Sequence, residues 1–81
     1  MTSIHFQSGV RKANKKIDKL LNKKNAVMLK RLETLQSKAV KRYYKSIGVE
    51  DESTVDFYKG YYIALSYFLY RGVRFGEFQE F

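Results

Sequence analysis

Cysteine is absent from these 81 residues, which excludes a disulfide framework and a thiolate zinc site as supplements to a small core. Proline is absent as well, so no position forces a helix to stop or kink. Acidic residues are few, eight against sixteen Lys and Arg, and there is a single histidine. Long hydrophobic runs are also missing. The longest nearly apolar run, YYIALSYFLY from Tyr61 to Tyr70, is half of the roughly 20 residues that cross a bilayer. The opening MTSIHFQSGV lacks a basic start followed by an apolar stretch, so the expected location is intracellular and cytoplasmic. A chain this short makes one domain with a high surface-to-volume ratio, which favours a partner or self-association.

What is present is unevenly distributed. Val10 to Ser46 holds thirteen basic and two acidic residues, a net +11, whereas Ile47 to Phe81 carries a net −3. Ten of the thirteen Phe and Tyr lie from Phe57 onward, so one half supplies charge and the other supplies bulk.

On a helical wheel Val10, Ile17, Leu21, Met28, Leu32, Leu35, Ala39 and Tyr43 fall within roughly 80°, with Leu20 and Val27 outside that arc. This pattern, together with abundant Lys, Leu and Ala, predicts one long basic amphipathic helix over about residues 9–47. Between residues 10 and 43 it would extend about 50 Å. Asn22 to Asn25 (NKKN) is its weak point, where a turn would let Asn25 cap a second helix.

Opposite the apolar stripe lie Lys12, Lys16, Lys19, Lys23, Lys30, Lys41 and Lys45, flanked by Arg11, Lys15, Lys24, Arg31, Lys38 and Arg42. A solvated helix face would account for such residues, because Lys is a good helix former. Only Asp18 and Glu33 offset the cations, however, and like charges three and four residues apart repel by a few tenths of a kcal/mol per pair. A row of this kind suits phosphates, whose neutralisation releases counterions and makes binding salt-dependent.

Gly48 suits the left-handed end of the first helix, followed by an acidic loop over 48–53. Ser53 or Thr54 is the expected N-cap of an aromatic helix over about 54–71, closed by Gly72. Three consecutive carboxylates, Glu50 to Glu52, lack the spacing and glycine of a calcium loop, so no metal is expected. The aromatic helix is apolar around much of its circumference and needs neighbours on several sides, with the tail 72–81 covering part of it. Gly60 and Ala64 form a small patch where another helix can approach closely. Because aromatics and cations are segregated along the chain, the aromatic stripe reads as core rather than as a base-stacking surface.

No catalytic signature accompanies these features. His5 has no nucleophile beside it, and Gly72 and Gly76 lack the Lys-Ser/Thr ending of a phosphate loop. Helix-turn-helix and zinc-finger patterns are absent too. Neither enzyme activity nor a cofactor is expected. The composition, rich in Lys, Asn and Tyr, resembles that of small accessory proteins of phages or mobile elements.

The expected fold is all-α, an antiparallel helical hairpin of a long basic helix and an aromatic helix, completed by self-association as a homodimer or larger homo-oligomer. The expected function is a basic nucleic-acid-binding accessory protein, DNA or RNA, contacting phosphates through Lys12, Lys16, Lys19, Lys23, Lys30, Arg31, Lys38, Lys41, Arg42 and Lys45. The alternative is a protein-interaction module, such as a phage-encoded inhibitor or regulator, docking on an acidic host protein or nucleoprotein complex. Its interface would centre on Tyr67, Tyr70 and Phe75. Attachment to an anionic membrane is less favoured, since the apolar stripe is needed for the fold.

Overall fold

A computed structural model describes residues 3–21 and 27–75. Among them are three α-helices and no strand: α1 (Ile4–Leu21), α2 (Val27–Ser46) and α3 (Glu52–Arg71). No helix among the described residues is long and apolar enough to cross a membrane.

The expected helix over 9–47 is divided into α1 and α2, and the described residues span 38 × 28 × 18 Å, too short for a straight rod of about 50 Å. Asn22 to Asn25 lie outside the described residues. On one wheel the inward faces of α1 and α2 differ in phase by roughly 80°, so a single stripe drawn through both catches only part of each. In α1 the buried residues are Gly9, Val10, Ala13, Ile17 and Leu20. Leu20 retains 9% of its exposure and Leu21 42%, the reverse of the expectation, because α1 answers only to its own neighbour. In α2 the inward face consists of Leu32, Ala39 and Ser46, with Leu35, Gln36 and Tyr43 half-buried.

α3 lies between the other two helices. α1 runs along it in the same sense, since Phe6 meets Gly60 while Asp18 pairs with Arg74. α2 runs the opposite way: the Tyr43 and Tyr62 rings are 4.9 Å apart, and the Gln36 Nε2 donates to Ser66 Oγ at 3.0 Å. α1 packs far more extensively on α3 than on α2. Small residues explain that preference. A Cβ on Gly9 would lie 2.8 Å from the Tyr61 backbone nitrogen, and one on Gly60 would lie 2.9 Å from the Phe6 carbonyl carbon. One turn beyond each glycine, Ala13 and Ala64 are fully buried. The two backbones therefore approach as closely as a missing side chain allows, the kind of approach expected at Gly60. Ile17 and Leu65 complete the core, each contributing about 1.5–3 kcal/mol by burial.

The ends of α3 follow local chemistry. Gly72 adopts φ 75°, and its N–H donates to the Phe68 carbonyl at 2.8 Å, as the left-handed C-terminal stop requires. The N-cap is Asp51 instead of Ser53 or Thr54, so the helix starts at Glu52. The Asp51 Oδ1 accepts from the Thr54 N–H at 3.0 Å, and a carboxylate satisfies that orphan donor while also complementing the helix dipole. Hydrogen bonding from Thr54 holds the Asp51 carboxyl below its ordinary 3.8, with a smaller attraction from His5 acting in the same direction. A depressed native pKa means stabilisation that is complete above the unfolded value and lost as pH falls through the native one. The melting temperature of wild type should thus exceed that of Asp51→Ala near neutrality, and the difference should shrink as pH falls below 3.8. A difference independent of pH would show that the cap does not act through its charge.

Candidate functional site

Because α1 and α2 lie on either side of α3 and make little contact with each other, a groove opens between them. Its walls come from two helix flanks. Lys12, Lys16 and Lys19 share an arc of roughly 60° on α1, and Arg31, Leu35, Lys38 and Arg42 share a similar arc on α2. The other flank of α1 carries Asn14, which donates through Nδ2 to the Phe75 carbonyl at 3.4 Å, and Asp18, which pairs with Arg74. The segment after α3 is thereby held on the side away from the lysines.

At one end the groove widens into a cleft of about 670 Å³ between the C-terminal half of α1 and the N-terminal half of α2. Lys16, Lys19, Lys30 and Arg31 surround it, and Leu20 and Leu35 supply its apolar surface. Glu33 is the one acid among the residues lining it. Among the described residues the two ion pairs are Arg42–Glu50 and Arg74–Asp18, so the four cations of the cleft have no carboxylate partner there.

At the other end the floor is aromatic. Phe57 and Tyr58 have ring centroids 5.5 Å apart, and Phe57 and Tyr61 lie nearly parallel at 6.5 Å. From the α1 wall, the Lys12 ammonium sits 5.6 Å from the Phe57 centroid and 5.9 Å from that of Tyr61. From the α2 wall, the Arg42 guanidinium carbon sits 4.9 Å from the Tyr58 centroid. Both contacts fall within the range where a ring quadrupole attracts a cation. Hydrogen bonding to Tyr58, followed by attraction to Tyr58 and Glu50, raises the Arg42 pKa and keeps the group charged. Burial pushes the Tyr61 hydroxyl up, so that ring is uncharged at neutral pH.

The expected cations therefore fall into distinct groups. Lys12 and Arg42 meet over the aromatic floor, while Lys16, Lys19, Lys30 and Arg31 surround the cleft. Lys38, Lys41 and Lys45 line a second groove with Arg42 and the exposed Tyr44 ring. Lys23 lies outside the described residues. Tyr67 and Phe75 pack edge to face at 5.3 Å, and Phe75 also meets Phe6, whereas Tyr70 projects with 75% of its surface exposed. The three expected interface residues do not present one open aromatic patch.

Phe57, Tyr58 and Tyr61 are not legible as groove residues in the sequence. Their separation from the lysines along the chain concealed them, since α3 brings Phe57 against Lys12 only through tertiary packing. Charge repulsion within the basic half was the one available signal. No group of three or more His, Asp or Glu side chains among the described residues is placed to hold a metal ion. Comparisons with known protein families, curated proteins and solved structures found no match.

Proposed function

We infer that this chain binds nucleic acid through the groove between α1 and α2, chiefly by contacts to phosphates. The observation that carries the reading is the cleft in which Lys16, Lys19, Lys30 and Arg31 converge from two helices without a carboxylate partner among the described residues. Like charges gathered in this way repel, and a polyanion relieves that repulsion while releasing its own counterions. The cations of the cleft can meet phosphates in any sequence, so modest sequence preference belongs to the same reading. Self-association would add a second groove and raise avidity for a long polymer.

The test is fluorescence anisotropy of labelled oligonucleotides with nuclease-treated protein over a salt series. If about six phosphates are contacted, log K should fall against log salt with a slope near −4 for a single strand and near −5 for a duplex. Absence of binding at low salt would remove this function and return the cations to solvent or to an acidic protein surface.

A further inference from the structure

We propose that the preferred ligand is a single strand, whose bases stack on the Phe57–Tyr58–Tyr61 floor while its phosphates engage the cationic walls. This rests on the nucleic-acid reading above and narrows it to one class of strand. Three observations carry it. Phe57, Tyr58 and Tyr61 share an arc of roughly 100° on α3, directed between the two flanking helices. Phe57 and Tyr58 are only half-buried and lie outside the principal core cluster, so their rings retain surface for another ring. Cations reach this floor from both sides, Lys12 from α1 and Arg42 from α2, and the α1 flank continues through Lys16 and Lys19 into the cleft.

Single-strand platforms combine these parts: a positive groove that follows the backbone and aromatic rings that accept bases regardless of sequence. A duplex offers the walls its phosphates but keeps its base faces in its own stack. A splayed strand offers both. Lys12 rests on the rings through a flexible four-carbon stem, so a base can displace its ammonium onto the adjoining phosphate while the charge remains in use. Arg42, planar and paired with Glu50 at 3.2 Å, stays beside Tyr58 and can itself stack on a base.

The decisive comparison uses the full chain with oligo(dT), oligo(U) and a mixed-sequence duplex, each of about 12 nucleotides or base pairs, at matched ionic strength. Single strands should bind about tenfold or more tightly than the duplex, and the dT and U arms separate DNA from RNA preference. Binding should quench the intrinsic emission, which comes from tyrosine because the chain has no Trp. Tyr58→Leu should lower single-strand affinity about five- to hundredfold, the loss of one stacked base, without changing the salt slope. Tyr58→Phe retains the ring and should retain the affinity. Thermal unfolding of both variants provides the folding control.

Equal affinity for strand and duplex, with Tyr58→Leu binding like wild type, would overturn the stacking proposal and leave phosphate binding intact. Loss of affinity in both Tyr58 variants alike would also overturn it, since the hydroxyl rather than the ring would then be at work. A protein that bound none of the three probes would overturn this proposal together with the reading beneath it.

Discussion

Gly60→Ala is expected to destabilise the protein by about 2 kcal/mol, although the same change would strengthen the isolated helix by about 1 kcal/mol. The sign is set by α1. A Cβ at position 60 meets the Phe6 backbone, with the carbonyl carbon at 2.9 Å and the carbonyl oxygen nearer still. Backbone in a neighbouring helix cannot rotate away as a side chain can, so α1 must lift from α3. Lifting it loosens the Ala13 and Ala64 contacts one turn further along, where both residues are fully buried. Overpacking of this kind costs typically about 3 kcal/mol at its upper end, from which the helix-propensity gain is subtracted. In a domain of this size the melting temperature should fall by about 10 °C. Gly9→Ala should act similarly through the Phe57 and Tyr61 backbone on the other side of the contact. Lys59→Ala, next to Gly60 but exposed, serves as the control and should leave the melting temperature nearly unchanged. A Gly60→Ala protein as stable as wild type would mean that α1 does not rest on α3 in solution.

The second large effect concerns binding. Reversing the four cleft cations together, as Lys16→Glu, Lys19→Glu, Lys30→Glu and Arg31→Glu, should lower affinity for nucleic acid by about hundredfold or more at low salt. The slope of log K against log salt should become shallower by about 3 for a single strand, because up to four phosphate contacts are removed. The cleft residues are suited to this test. Lys19, Lys30 and Arg31 are exposed and Lys16 is half-buried, so their charge can be changed without opening the core. Lys59→Glu alters charge on α3 outside the cleft and should change affinity only slightly. Retained affinity and slope in the quadruple variant would move any nucleic-acid contact elsewhere, with the groove lined by Lys38, Lys41, Arg42 and Lys45 next in line. The two variants separate fold from function: Gly60→Ala should lower stability through packing, whereas the cleft variant should lower affinity while the protein remains folded.

Much of the architecture was legible in the residue pattern. Helical periodicity, the absence of proline and the glycines at 48 and 72 point to an all-α chain with a stop after each long helical stretch. Gly60 announced a close approach by another helix, and the structure identifies α1 as that helix. Other features depended on choices between similar local options. Asp51, Ser53 and Thr54 are all competent N-caps, and the chain places the first of them at the start of α3. Leu20 and Leu21 are equally apolar, and which one enters the core depends on the direction from which α3 approaches α1.

Composition and spacing by themselves determined the charge asymmetry, the helical character and the small-residue contact at Gly60, because each is a property of one segment and its local period. Only the tertiary structure decided that the basic half divides into α1 and α2 on opposite sides of α3, and that Lys12 and Arg42 meet the Phe57–Tyr58–Tyr61 rings from those two sides. The physical reason lies in sequence separation. Lys12 and Phe57 share no local period, and their meeting depends on the packing of Gly9 and Gly60 that brings two distant backbones together.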